Sequence, residues 1–334
     1  MHGVVGWCRV GRSVLANATI RAACIAIVVA LSSSTTSAAV DEAARVPRLV
    51  APGVISTPDF EYDTSFTPDG KTMYFTKGDP GYNRLTIVES RLVNGRWTQP
   101  RVASFSGIWK DADAHVSADG TKLYFISNRP ADNSGTPRKD YDIWFVERSG
   151  NGWGAPQHLP APINTDGNEA YANVLADGTL YFEASRAEHP GIHIYRARPS
   201  ANGYDAPELL SFAGKGNDIN PVVARDGGFL IFASRDRGGM GQGDLFVSFA
   251  RPDGRWSDPV NLGGTINTAF GESAPWLSPD GRRLFFSSNR LAGPVIRERP
   301  ADYAQLGREL RSNENGLLSI YEVTLGDIRK LDRP

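Results

Sequence analysis

A four-residue turn ending in Asp-Gly returns five times along this 334-residue chain, each time followed by an apolar run. It reads Thr67-Pro68-Asp69-Gly70, Ser117-Ala118-Asp119-Gly120, Leu175-Ala176-Asp177-Gly178, Ala224-Arg225-Asp226-Gly227 and Ser278-Pro279-Asp280-Gly281. The aspartates lie 50, 58, 49 and 54 residues apart. Self-similarity at such a period marks a repeat architecture, in which a unit cannot bury its apolar face alone and must stack on its neighbours.

Asp-Gly between two apolar runs is a strong hairpin signal, because glycine tolerates the positive φ these turns demand. The strand leaving each turn is aromatic and apolar: Met73-Tyr74-Phe75, Leu123 to Ile126, Leu180-Tyr181-Phe182, Phe229 to Phe232, Leu284-Phe285-Phe286. Unbroken apolar runs predict burial on both faces, as when sheet stacks on sheet. A third strand follows in each unit, then a turn carrying an aromatic residue and a proline: Trp97 and Pro100, Trp153 and Pro156, Tyr204 and Pro207, Trp256 and Pro259. These aromatics read as packing residues, since large rings dominate core burial. A fourth strand begins after the proline.

Four strands in each of five units predict an all-β, five-bladed β-propeller with antiparallel blades. The units run over 58–108, 109–164, 165–215, 216–268 and 269–325. The last lacks its own fourth strand, and Pro47 to Val50 resembles Pro207 to Leu210. Residues 46–52 are therefore expected to complete the last blade, so that no strand edge is left open. A long loop at 291–316 places Tyr303, Leu306 and Leu310 at helical spacing and predicts a short helix.

The first forty residues hold no Asp or Glu. Arg9, Arg12 and Arg21 precede an apolar run from Ala22 to Leu31, and Ser37-Ala38-Ala39 fits a small-residue cleavage site. Residues 1–39 thus read as a secretory signal peptide, with the propeller over 40–334. The apolar run is short of the ~20 residues that span a bilayer. Both cysteines, Cys8 and Cys24, fall in this leader. The mature chain then has no disulfide and no thiolate chemistry. Its near-neutral charge gives no electrostatic reason to bind nucleic acid. A periplasmic or secreted protein without a transmembrane segment is expected.

The run Glu272, Pro275, Ser278-Pro279-Asp280-Gly281, Leu284-Phe285-Phe286, Ser288 and Arg290 resembles the WD40-like propeller repeat of the TolB type, and the other four units carry it in part. The resemblance covers residues 45–325 and implies the propeller fold. It does not imply one activity, since such repeats serve binding, scaffolding and enzyme-appended roles. No Gly-x-Ser-x-Gly nucleophile elbow occurs.

Eight residues before each turn Asp stands an acid: Glu61, Asp111, Glu169, Asp218 and Glu272. The second strands end at Arg129, Arg186, Arg235 and Arg290 on the same face, with Lys77 in the first unit. The expectation is a ring of carboxylates at one channel mouth, joined to these cations by orienting ion pairs that fasten neighbouring blades. Departures from fivefold symmetry mark the candidate pocket: Asp63, Asp111, Asp113 and His115, with Asn220. On a regular strand Asp111, Asp113 and His115 share one side. No cofactor is expected, although a hard cation such as calcium suits these carboxylates.

Two functions follow. One is an exported binding or scaffold module that presents this mouth to an envelope protein, a peptide or a glycan. The alternative is a carbohydrate-active hydrolase using two carboxylates in the funnel, one kept protonated. An unneutralised acid pair flanked by aromatics would favour the second.

Overall fold

The computed structural model describes residues 46–332, apart from 133, 213–216 and 294–295. The leader expected at 1–39 lies outside the described residues. The described chain forms five antiparallel sheets, one to a blade, and a small two-stranded sheet of Pro199–Ser200 with Gly203–Tyr204. Their inner strands are Phe60–Phe66, Asp111–Val116, Glu169–Val174, Asp218–Val223 and Glu272–Leu277. Each Asp-Gly turn leads into a second strand buried on both faces, where Phe75, Phe125, Phe182, Phe232 and Phe286 are all fully enclosed.

The last blade closes as expected. Strand Arg48–Leu49 pairs antiparallel with Ser319–Thr324, placing Arg48 opposite Glu322 and Leu49 opposite Tyr321. The Val50 N–H donates to Ile320 O at 3.0 Å, and the Ser56 hydroxyl donates to the same carbonyl at 2.8 Å. Ile55, fully buried, anchors this clasp in the core. The helix in the long loop spans Tyr303–Leu310 and is capped by Asp302, whose side chain accepts from Gln305 N. The turn aromatics pack: Trp153 donates its indole N–H to Tyr74 Oη at 2.9 Å, and Trp256 is buried beside Tyr181.

One feature of the inner strands departs from regular pleating. Each contains a β-bulge at the same place, between Tyr62 and Ser65, Ala112 and His115, Ala170 and Asn173, Ile219 and Val222, and Ser273 and Trp276. In every case one residue is left-handed: Asp63, Asp113, Tyr171, Asn220 and Ala274 have φ between 48° and 58°. Bulged residues are unpaired in the ladder, which explains how Pro221 and Pro275 fit inside strands.

The bulge N–H, freed from its own sheet, donates to the preceding blade. Asp63 N bonds Ser287 Oγ at 3.1 Å and Asp113 N bonds Thr76 Oγ1 at 3.3 Å. Asn220 N donates to the Glu183 carboxylate, Ala274 N to Asn220 Oδ1 at 3.1 Å, and Tyr171 N to the Asp113 carboxylate. Ser287, Thr76 and Glu183 hold one position of their second strands. In the blades with apolar Ile126 and Ala233 there, the inner-strand residues Asp113 and Asn220 supply the acceptor instead. A left-handed conformation costs a residue with a Cβ ~1–2 kcal/mol. The latch offsets this by satisfying a buried donor.

Ala274 carries that strain with no side-chain hydrogen bond in return. Ala274→Gly should therefore stabilise the fold by ~0.5–1 kcal/mol, the relief of strain exceeding the ~0.5–1 kcal/mol entropic penalty of glycine. Urea unfolding checks this. A loss of stability would show that the bulge is not strained.

Candidate functional site

The five ring acids begin the inner strands, and none is more than 2% exposed. Four of them clasp the connector that enters their blade, and Asp218 reaches its connector only through Arg237. Glu61 accepts from the hydroxyl and N–H of Thr57, Glu169 from those of Thr165, and Glu272 from those of Thr268. Asp111 accepts from Ser106 Oγ at 2.9 Å. The cations complete the clasp within the same blade: Lys77 lies 3.1 Å from Glu61, Arg129 2.6 Å from Asp111 and Arg290 3.2 Å from Glu272. The guanidinium groups also donate to backbone carbonyls of the connector, Arg129 to Phe105 and Arg290 to Ile266. The ion pairs thus tie a connector to its own blade, rather than one blade to the next. Blades are joined by backbone bonds from the same residues, as in Glu61 N to Leu318 O at 3.0 Å and Glu272 N to Gly243 O at 2.8 Å.

Two cations depart from the expected pattern. Arg186 makes no ion pair among the described residues and donates to Pro162 O and Ile163 O, which leaves Glu169 to Thr165. Arg235 does not serve Asp218. Arg237 does, with bonds of 2.8 and 2.6 Å. Blade four reads Ser234-Arg235-Asp236-Arg237, and Asp236 turns away to hold Asn217, so the next arginine reaches the acid. Arg235 is left exposed at the channel mouth without an ion pair among the described residues.

The bulge also separates the Asp111, Asp113 and His115 set that regular alternation would place on one side. Asp111 is turned to the clasp and Asp113 lines the acid-bearing mouth. His115 faces the turn-side mouth, where its ring lies 4.7 Å from that of Trp276. Among the described residues no three His, Cys, Asp or Glu side chains are grouped to hold a metal ion.

What remains at the acid-bearing mouth is a cavity of about 320 Å³. Asp113, Glu183, Asn220 and Arg235 supply its polar groups, and Tyr62, Tyr82 and Tyr141 much of its wall. Phe60, Tyr62 and Tyr82 stack edge to face, with centroids 5.3–5.9 Å apart. Neither Asp113 nor Glu183 has a cation within ion-pair distance among the described residues. Burial pushes Glu183 up to about 8, against the opposing hydrogen bond from Asn220. Burial also raises Asp113. Asp63, 1% exposed, sits deeper, with Oδ2 unpartnered among the described residues. Burial first, and then the neighbouring Asp113, holds its proton affinity well above the ordinary carboxylate range.

Glu183 and Tyr82 were not foreseen. Glu183 is a lone acid in an otherwise apolar second strand, at the place held by Thr76 and Ser287 in other blades, and that mismatch was a readable signal. Tyr82 comes from the loop after Gly78, which no periodicity points to. From the long loop 291–316, Gly316 lines an adjoining cavity. No described residue of 130–140 lines either cavity.

No family model matches this sequence, and no curated protein does. Solved structures do match. A putative TolB from Agrobacterium tumefaciens aligns with a TM-score of 0.47 at 18% identity, over 81% of this chain and 92% of that one. An α-L-arabinofuranosidase from Lactobacillus brevis gives 0.48 at 14%, over 82% and 94%. A thermostable family-43 glycoside hydrolase gives 0.47 at 16%, over 71% and 85%. The chain is a five-bladed β-propeller, an assignment that stands on its own strand pairing.

The two arginines of blade four separate structure from site. Arg237→Ala leaves Asp218 buried and uncompensated and should cost ~3–5 kcal/mol. Arg235→Ala should shift stability by less than ~0.5 kcal/mol. Urea denaturation of both variants measures the contrast, and equal effects would contradict these assignments.

Proposed function

We propose that this chain is an exported binding module whose acid-bearing channel mouth takes a donor-rich group of a glycan, a peptide or an envelope protein. The observation that carries this reading is the set Asp63, Asp113 and Glu183, three carboxyl groups with no counter-ion within ion-pair distance among the described residues. Buried carboxyl groups without a counter-ion are unfavourable, and such perturbed acids cluster where a ligand supplies what is missing. The five ring acids, by contrast, are engaged by connector groups or by cations of their own blade. Hydroxyls or ammonium groups can donate to Asp113 and Glu183, while the tyrosines cover apolar sugar faces or a cationic stem. Among the described residues no helix is long and apolar enough to cross a membrane. Export to the periplasm or beyond rests on the leader read from the sequence.

A second reading, a glycoside hydrolase using the same mouth, is favoured by one observation. Glu183, pushed up to about 8, would be protonated at neutral pH, as a general acid must be. Asp113 would then be the second carboxylate. Retaining and inverting chemistry need separations of about 5 Å or about 6.5–9.5 Å respectively.

Calorimetric titration with neutral oligosaccharides and Lys-containing peptides tests the binding reading. Glu183→Gln and Asp113→Asn should each weaken binding about tenfold with the fold intact, about 1.4 kcal/mol. Absence of binding throughout sinks the proposal. Release of reducing ends by the wild type, lost in both variants, would establish the hydrolase instead.

Glu183 also predicts a pH dependence. Its affinity for protons is higher folded than unfolded, so its contribution to stability is fully present below pH 4.5 and is lost as pH rises through about 8. The thermal midpoint of the wild type should therefore fall relative to Glu183→Gln across that window, as followed by circular dichroism.

A further inference from the structure

A cavity of about 530 Å³ lies at the other end of the channel, among the Asp-Gly turns. It shares no lining residue with the cavity at the acid-bearing mouth. Its walls are apolar, including Phe66, Val174, Val222, Phe229 and Trp276. Besides Ser278, whose hydroxyl is given to Asp280, two polar side chains in it are almost wholly buried, His115 at 5% and Asn173 at 3% exposure.

The hydrogen bonds of these two residues determine which of their atoms carry protons. Val174 N–H donates to His115 Nε2 at 3.1 Å, so that nitrogen is an acceptor. Burial, with the nearby Arg225 charge adding to it, pushes His115 down to about 3, so the ring is neutral and its proton sits on Nδ1. Val223 N–H donates to Asn173 Oδ1 at 3.1 Å, which fixes the amide orientation and turns Nδ2 toward His115. The two nitrogens, His115 Nδ1 and Asn173 Nδ2, stand 3.4 Å apart, and both are donors. They do not satisfy one another. Neither has an acceptor among the described residues. Two buried donors side by side form a site for one oxygen.

The charge around this site is positive. Arg225 lines the same cavity, exposed and without an ion pair among the described residues. The rim acids are engaged: Asp226 pairs with Arg329, and Asp280 accepts from the Ser278 hydroxyl and Arg282 N–H.

We propose that the turn-side cavity binds an apolar or aromatic carboxylate, one oxygen accepting from His115 Nδ1 and Asn173 Nδ2 while its charge faces Arg225. The apolar body lies against Phe66, Phe229 and Trp276. Nothing in this proposal depends on the function assigned to the opposite mouth. The carboxylate can belong to a free acid or to the C-terminus of a peptide ending in an apolar residue.

Calorimetry with 4-phenylbutyrate and its primary amide tests the site, with acetyl-Gly-Phe as the chain-terminus arm. The acid should bind at least tenfold more tightly than the amide, and Arg225→Gln should remove most of that preference. Asn173→Asp keeps an oxygen for Val223 N–H and offers the other to His115 Nδ1. It should leave a folded protein, as judged by thermal unfolding, that no longer binds the acid. Preference for acetyl-Gly-Phe over 4-phenylbutyrate supports the same site with a chain end as its source. Equal affinity for acid and amide, unchanged binding in a folded Asn173→Asp, or binding by none of the compounds would overturn the proposal.

Discussion

The bulge in each inner strand is the constraint on which the wheel depends. A propeller must join blades whose sheets cannot pair edge to edge, so each blade needs a donor that its own ladder does not use. The left-handed residue provides one, and the preceding blade supplies an oxygen to receive it. Four kinds of side chain do this in five places: serine, threonine, the carboxyl groups of Asp113 and Glu183, and the amide of Asn220. The requirement is for an acceptor at that point in space. It is not for a particular residue at one sequence position. Where the second strand offers only Ile126 or Ala233, the inner strand compensates.

This tolerance is what lets polar groups accumulate at the mouth. A hydroxyl latch that accepts one N–H keeps a single lone pair and its own O–H donor. A carboxylate has more acceptor sites than one backbone donor can fill. Asp113 and Glu183 therefore complete the fold and still present unused oxygen to the cavity. The same bulge turns His115 away from them, to the far side of the channel. Between the two cavities Tyr171 reaches across, its hydroxyl donating to Pro275 O at 2.9 Å. One structural device thus yields an acidic chamber and an apolar, donor-bearing chamber on one axis.

The repeat itself was legible because its signals are local. Asp-Gly turns, aromatic second strands and the Pro47 to Val50 match to another blade's fourth strand all rest on nearest-neighbour chemistry, and the closing strand lies where that match placed it. The ring acids were legible as a pattern, and their partners less so. One added residue in the blade-four run moved the ion pair from Arg235 to Arg237, which spacing alone does not reveal. The separation of Asp113 from His115 was hidden because period-two reasoning assumes an unbroken pleat. Pro221 and Pro275 inside strands were the available warning, since a regular central strand has no place for them.

A fivefold repeated residue and a singular one answer to different demands. Glu61, Asp111, Glu169, Asp218 and Glu272 recur because every blade has a connector to fasten, directly or, for Asp218, through Arg237. Asp63 recurs only as Asp113 in the next blade, has no cation to pair with among the described residues, and lies buried beside that second carboxyl. Stability alone would favour replacing it with a hydroxyl or an amide, because an unpaired buried acid is among the most unfavourable groups a core can hold. Selection for folding would remove such a residue unless another requirement kept it. Burial first, and then the neighbouring Asp113, raise the proton affinity of Asp63, so the uncharged acid is the form this core holds at least cost.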